Sequence, residues 1–282
     1  MVMVLALAAA LLYGGADFLG GAATRRAHVL SVAALSATAG LSVLLLAALA
    51  SGDMPQPAGL AWGLSAGVIG GAGLILFYVG LATGPMSVVA PVSGLVGTIL
   101  PVGVALTEGE RPGMMVYVGA VACVVAIVLA SSGGSLAAAS GRRVPVRAIG
   151  YGVVSGILFG LFVVFMRNGG ESGAFWPATV ARMGELIVAL AAIAVVRPGP
   201  AGRGAGRAPV LTAVAAGTID AAATLCYVAA TRAGLFGLAV VLASLYPGIT
   251  VLLARMVLGE RLRWVQRAGL GLAALGILLV AA

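Results

Sequence analysis

Gly109-Glu110-Arg111 recurs 150 residues later as Gly259-Glu260-Arg261, and each triplet follows a long apolar run. Other identities share this offset: Ala66-Gly67 with Ala216-Gly217, Ile69 with Ile219, and Gly119 with Gly269. Small apolar residues often coincide by chance in a chain rich in Ala, Gly, Val and Leu. The recurrence of the charged triplet is therefore the strongest evidence for a repeat. The pattern predicts two related halves.

Long apolar segments account for most of the chain. Of the 282 residues, 62% are hydrophobic and 9% charged, whereas an ordinary soluble domain is about a quarter charged. A transmembrane helix needs about 20 apolar residues. The fold class predicted is therefore an all-α integral membrane protein. Charged and turn residues divide the chain into ten predicted helices, at 2–22, 28–50, 58–82, 86–107, 113–131, 147–167, 174–196, 208–231, 235–258 and 264–282.

A Gly/Ser/Arg-rich stretch separates the ten predicted helices into two groups of five. We predict a first repeat at 1–131, a linker at 132–146 and a second repeat at 147–282. Because five is odd, the second repeat must enter the membrane with opposite polarity. Inverted repeats build secondary transporters, in which the solute site lies near the bilayer midplane between the halves.

The basic residues are all arginines and give a net charge of +8. Loops that follow odd-numbered predicted helices hold twelve of the sixteen arginines and those that follow even-numbered helices hold three. Arginine-rich loops lie on the cytoplasmic side of membrane proteins, so this count predicts that both termini face outward. This distribution argues against a nucleic-acid partner.

Several kinds of chemical site lack the residues they need. The single histidine, His28, excludes a multi-histidine metal site, and a chain without lysine cannot form the usual phosphate-binding loop. Cys123 and Cys226 both lie in apolar runs, so no disulfide framework is expected. We expect no cofactor, no bound metal and no catalytic residue.

Four charged residues fall well inside predicted helices, where each costs about 2.5–3.5 kcal/mol on insertion scales unless it is paired or solvated. Arg182 and Glu185 lie three residues apart and share a helix face. They form either a self-neutralising pair or part of a solute site. Asp17 and Asp220 either hydrogen-bond to the backbone or to a Ser or Thr of a neighbouring helix, lie at the membrane interface, or bind a cationic solute or a proton. Because Asp220 replaces Gly70 of the first half, the repeat does not require it, which favours a functional role.

Other polar residues inside the apolar runs are candidates for lining a cavity. The alternative for each tyrosine is core packing with one hydrogen bond for its hydroxyl. Ser93 and Ser244 could supply polar contacts nearby. The tyrosines are Tyr13, Tyr78, Tyr227 and Tyr246.

Prolines within the fourth and ninth predicted helices indicate a hinge or a binding site, or alternatively a simple kink. Pro91, Pro101 and Pro247 each remove a backbone hydrogen bond, which is tolerated where protein or a water-filled cavity satisfies the freed carbonyl. Glycines at four-residue spacing predict close helix packing, at Gly63, Gly67 and Gly71 and at Gly152, Gly156 and Gly160.

Two matched motifs carry a family resemblance. They are Gly84-Pro-Met-Ser-Val-Val-Ala-Pro-Val-Ser93 with the first Gly-Glu-Arg turn, and Ser244-Leu-Tyr-Pro-Gly-Ile-Thr-Val-Leu-Leu253 with Leu258-Gly-Glu-Arg-Leu262. With the paired five-helix units, the chain resembles the EamA family of the drug/metabolite transporter superfamily. The resemblance implies two inverted five-helix repeats around a central cavity. It also implies transport of small metabolites such as amino acids, often outward and without ATP hydrolysis.

The chain departs from this family in two ways. Only 6% of its residues are aromatic, which weakens the analogy with members that handle aromatic amino acids. Many members are thought to keep their termini in the cytoplasm, against the arginine count here, which we follow.

The function predicted is secondary-active transport of a small polar metabolite, an amino acid or related compound, by export from a bacterial plasma membrane. One alternative is export of organic cations or drugs, and a second is an intramembrane enzyme acting on a lipid. The partners expected are the solute and the lipid bilayer, with a proton as candidate coupling ion and a second copy of the chain as candidate partner.

Overall fold

The computed structural model describes residues 1–107, 145–169, 175–197, 207–233 and 236–258, and scattered residues within 114–129 and 264–275. Every regular element in the continuous ranges is an α-helix. These helices are α1 (Val2–Thr24), α2 (Val29–Ser51), α3 (Pro57–Thr83), α4 (Met86–Thr107), α5 (Val146–Gly169), α6 (Phe175–Val196), α7 (Arg207–Arg232), α8 (Phe236–Ala243) and α9 (Tyr246–Leu258).

Most of the described helices are long and apolar enough to cross a bilayer. Seven spans meet both requirements within these ranges, the segment Leu238–Leu258 counted as one, and Met86–Pro101 forms a shorter apolar helix. Large apolar side chains such as Leu46, Leu49 and Leu190 lie on the outside of the protein, as expected where lipid replaces water. An all-α integral membrane fold is confirmed, whereas the fifth and tenth predicted helices fall largely outside the described residues.

The most extensive packing joins the first half of the chain to the second. Helix α1 packs along α7, α3 packs along α5 and α6, and α2 packs along α6 and α7. Contacts between helices of the same half are much sparser. The protein core is therefore an interface between the two halves.

Glycine provides the close approach between α3 and α6. Three glycines of α3 lie against the backbone of α6, Gly63 at Pro177, Gly67 at Ala181 and Gly71 at Glu185. A Cβ atom at any of them would overlap backbone atoms of α6. The sequence prediction that this glycine series permits close packing is confirmed, and the same holds for the second series, which lies between α5 and α4.

Residues matched by the repeat occupy matching contacts. Gly67 lies against Ala181 of α6, and Gly217, its partner at the 150-residue offset, lies against Ser36 of α2. Each is a glycine of one half that packs on a helix of the other half. The halves therefore use the same helix-packing contact twice.

The order of contacts also gives the helix directions. Contacts run in the same order along α3 and α6, so these two helices are parallel. They run in opposite order along α3 and α5, where Gly80 lies at Tyr151, Gly73 at Leu158 and Gly70 at Phe162. The first described helix of the second half is therefore antiparallel to α3.

Candidate functional site

A cavity of about 140 Å³ lies between the two halves. Its walls come from α1, α3, α4 and α5 to α9. For scale, an engineered cavity of roughly 150 Å³ in another protein holds one benzene molecule. The space therefore suits a solute of roughly six non-hydrogen atoms.

All four charged residues singled out in the sequence line this cavity: Asp17, Arg182, Glu185 and Asp220. Glu185 lies near the middle of α6 and Asp220 near the middle of α7. The cavity is thus at the depth expected for the centre of the membrane.

Arg182 is the centre of a buried ion-pair network. Its Nη1 atom donates to Glu185 Oε2 at 2.7 Å, and its Nη2 atom pairs with the Asp220 carboxylate of α7. Both Arg182 and Glu185 are buried, and the Asp220 side chain is 21% exposed. The intrahelical pair expected from the sequence is present, and it extends across to the next helix.

Thr224 links this network to α1. Its hydroxyl accepts from Arg182 Nη2 at 3.2 Å and from the Tyr13 hydroxyl at 3.2 Å, and donates to the Asp220 carbonyl at 2.9 Å. Sequence reasoning did not single out Thr224. The available signal was its position one helical turn after Asp220, which places both on the same face of α7.

Asp17 is placed differently from the other two carboxylates. Its Oδ2 atom is buried, and no hydrogen-bond partner for it exists among the described residues. The alternative foreseen for Asp17, a hydrogen bond to a neighbouring helix, is not present at this atom. A second buried atom in the same situation is the Tyr227 hydroxyl oxygen.

Three of the four candidate tyrosines form an aromatic group on the cavity wall. The Tyr13 ring lies edge-on to Tyr227, with centroids 6.5 Å apart, and edge-on to Tyr246 at 6.2 Å. Tyr78 lies apart from them, packed on Phe77 and against Gly20 of α1. Tyr78 and Tyr227 are 149 residues apart, close to the repeat offset of 150 residues, yet only Tyr227 lines the cavity.

The two candidate serines also differ. Ser244 lines the cavity, and its hydroxyl donates to the Val240 carbonyl at 2.7 Å. The Ser93 hydroxyl lies between α4 and α5, 3.0 Å from the Ser155 hydroxyl. Ser93 therefore contributes to helix packing.

The three prolines fall into two situations. Helix α4 continues through Pro91 and Pro101, so no break interrupts the fourth predicted helix. The ninth predicted helix is interrupted at Ser244-Leu245, and Pro247 is the second residue of α9. Proline is well tolerated at the start of a helix because no backbone donor is needed there.

Three other kinds of position complete the description: a tryptophan, the two triplet glutamates and the two cysteines. Trp176, at the start of α6, donates its indole N–H at 2.7 Å to the carbonyl of Asp53, which follows the end of α2. Glu110 and Glu260 of the two Gly-Glu-Arg triplets lie outside the described residues, as does Cys123. Cys226 is a free cysteine within α7.

Comparisons with known proteins agree with this architecture. The model of the EamA-like transporter family matches residues 1–132 and 146–282. The chain therefore belongs to the EamA-like transporter family, which is part of the drug/metabolite transporter superfamily, and it is an integral membrane protein.

Among solved structures, 21 chains match. One of them, described only as the crystal structure of a protein, has a TM-score of 0.71 and 20% sequence identity, with 99% of this chain and 98% of that chain covered. At this identity the likeness concerns the fold alone. No curated protein matches the chain.

Proposed function

We propose that this protein is a secondary-active transporter that exports a small polar metabolite across a bacterial plasma membrane by alternating access. The observation that carries the proposal is the cavity between the halves, which brings together Asp17, Arg182, Glu185 and Asp220. Charged groups at membrane depth are costly and characteristically mark solute and proton pathways.

The helix directions support an inverted relation between the halves. The first described helix of the second half, α5, is antiparallel to α3, and α6 is parallel to it. We infer two inverted five-helix repeats, in which the fifth and tenth helices complete the units. Alternating access then consists of one half tilting against the other around the central cavity.

A proton is the coupling ion that the cavity favours. Its described lining carries one cation, Arg182, against three carboxylates, Asp17, Glu185 and Asp220. Bringing three negative charges against one positive charge into a poorly hydrated space is unfavourable. Binding of either a proton or a cationic solute reduces this excess of negative charge. The excess of negative charge therefore also favours organic cations as the second candidate substrate class.

The proposal is tested with purified protein. A thermal-shift screen against amino acids, amines, nucleosides and organic cations identifies solutes that bind the folded state, because such binding raises the melting temperature. Solutes that stabilise the protein are then tested in proteoliposomes for saturable uptake that is accelerated by the same solute on the opposite side. Uptake that saturates but is not accelerated by solute on the opposite side would refute a carrier. Uptake that shows neither saturation nor acceleration would refute it as well.

The alternative of an intramembrane enzyme is separated by the fate of the solute. A transporter returns the solute chemically unchanged, whereas an enzyme converts it. Mass spectrometry of the solute recovered from the proteoliposomes distinguishes the two results.

A further inference from the structure

The two sides of the cavity differ in polarity. Helices α1 and α7 pack together and supply Tyr13, Asp17, Asp220, Thr224 and Tyr227. Helices α3 and α5 also pack together and supply Gly70, Leu74, Phe159, Phe162 and Val163. A polar wall on α1 and α7 thus accompanies an apolar wall on α3 and α5.

The repeat makes this asymmetry informative. At the 150-residue offset, Asp220 corresponds to Gly70 and Thr224 corresponds to Leu74. At an offset of 146 residues, Tyr13 corresponds to Phe159 and Asp17 corresponds to Val163. All of these residues line the cavity. At these matched positions the polar side chains lie on α1 and α7 and their counterparts on α3 and α5 are apolar, so the solute that fits is itself polar at one end and apolar at the other.

Two buried atoms of the polar wall have neither a hydrogen bond nor an ion pair with any described residue. Asp17 Oδ2 accepts no hydrogen bond from any described residue, and the Tyr227 hydroxyl makes none. An unpaired buried polar group is costly, more so when it is charged. A protonated amine carries several N–H donors, and both the carboxylate and the phenol oxygen can accept from them.

Aromatic rings stand beside this carboxylate. Tyr13 precedes Asp17 by one helical turn, and its ring is edge-on to those of Tyr227 and Tyr246. Ring faces attract cations, and aromatic cages bind ammonium groups in this way. Asp17, Tyr13 and Tyr227 on the polar wall, with Tyr246 of α9 against Tyr13, are therefore suited to a positively charged nitrogen.

The same cavity offers little to a negatively charged group. Among its described lining residues Arg182 is the single cation, and it already binds both Glu185 and Asp220. A solute carboxylate would have to displace one of these partners. An amino acid would therefore leave its carboxylate unpaired next to other carboxylates, which is strongly unfavourable.

We propose that the solute is a small protonated primary amine with a short hydrocarbon tail and no carboxylate. Its ammonium group binds Asp17 and the Tyr227 hydroxyl, and its tail lies against Leu74, Phe159 and Val163. This substrate class rests on the proposed transport function and narrows it.

Four small probes isolate the features of such a solute. Isobutylamine has the amine and the tail, valine adds a carboxylate to the same skeleton, isobutanol replaces the charged group with a hydroxyl, and tetramethylammonium keeps the charge without any N–H. Binding to the purified full-length protein at pH 7 is measured by titration calorimetry. We expect the dissociation constant of isobutylamine to be at least about tenfold below those of the other three, since a hydrogen bond to a charged group contributes a factor of this order.

Variants assign the binding to the proposed atoms. Asp17→Asn and Tyr227→Phe should each weaken isobutylamine binding, the former by roughly tenfold to hundredfold. Asp53→Asn changes an exposed carboxylate in the loop after α2 and keeps the backbone carbonyl that Trp176 contacts, so it should bind as the wild type does. Melting temperatures of all three variants show whether the fold is retained.

Each result bears on one claim. Valine binding as tightly as isobutylamine, or isobutylamine binding unaffected by Asp17→Asn in a folded protein, would overturn the amine assignment and leave transport intact. Equal binding of tetramethylammonium would overturn the role of the N–H donors. Isobutylamine that binds at Asp17 but shows no carrier-mediated flux in proteoliposomes would instead contradict the proposed transport function.

Discussion

At the scale of single residues, the cavity combines an ion-pair network with a carboxylate oxygen, Asp17 Oδ2, that has no hydrogen-bond partner among the described residues. Arg182 holds Glu185 and Asp220, and Thr224 connects the group to Tyr13. Asp17, on α1, is outside these contacts. Arg182 and its partners therefore form one connected group, and Asp17 is separate from it.

Substituting Arg182 tests how much its ion-pair network contributes to the stability of the protein. Arg182→Met leaves the buried Glu185 carboxylate and the partly exposed Asp220 carboxylate without their cation, and breaking a buried pair typically costs about 3–5 kcal/mol. We expect a clearly lower melting temperature in detergent. The triple variant with Glu185→Gln and Asp220→Asn removes the stranded charges and should recover much of the loss. An unchanged melting temperature in Arg182→Met would show that the network contributes no net stability.

Asp220 tests whether the network also takes part in transport. In Asp220→Asn, Arg182 retains its 2.7 Å bond to Glu185, so the fold should survive. We expect transport to fall roughly tenfold or more, because the variant removes the carboxylate that pairs with Arg182 in the cavity, and an interaction with a charged group contributes about 1.5–3 kcal/mol. Initial rates in proteoliposomes provide the measurement, with Asp53→Asn as the control. Wild-type rates across a range of solute concentrations would limit Asp220 to a structural role.

The sequence predicted which charged residues form the site, but it did not predict the contacts between them on different helices. The cost of a charge at membrane depth was enough to select Asp17, Arg182, Glu185 and Asp220, all of which line the cavity. The bond between Arg182 and Asp220 depends on how α6 and α7 are rotated against each other, which local sequence does not determine. Thr224 was also missed. Threonine inside a helix usually bonds to its own backbone, so its additional contacts with Arg182 and Tyr13 could not be foreseen without the rotation of the helices.

At the scale of helices, glycine spacing was the most reliable signal. Gly67 and Gly217 occupy equivalent contacts because only a residue without a Cβ lets two helix backbones approach so closely. Proline was less reliable. A proline in an apolar run either frees a carbonyl inside a continuing helix, as in α4, or begins a new helix, as in α9, and the sequence alone does not separate these outcomes.

The glycine contact makes a direct prediction. In Gly67→Ala the new Cβ would overlap the Ala181 carbonyl group, so α3 and α6 must move apart. Overpacking of this kind costs about 1–3 kcal/mol, and the melting temperature should fall accordingly. Gly150→Ala is the matched control, since a Cβ there meets no atom within 4 Å. Equal melting temperatures for the two variants would contradict the packing described for α3 and α6.

At the scale of the whole molecule, the cavity depends on both halves at once. Each wall pairs one helix of the first half with one of the second, α1 with α7 and α3 with α5. Tilting one half against the other must therefore change the cavity itself. This coupling between the arrangement of the halves and the surroundings of Asp17 is what alternating access requires.

Counterflow in proteoliposomes tests this account most directly. Vesicles loaded with the solute that most stabilises the purified protein are diluted into a trace of the labelled solute. The account predicts transient accumulation of label with the wild type and with Asp53→Asn, and accumulation reduced to near the level of protein-free vesicles with folded Asp17→Asn. Accumulation by Asp17→Asn equal to the wild type, or none above protein-free vesicles with the wild type, would contradict it.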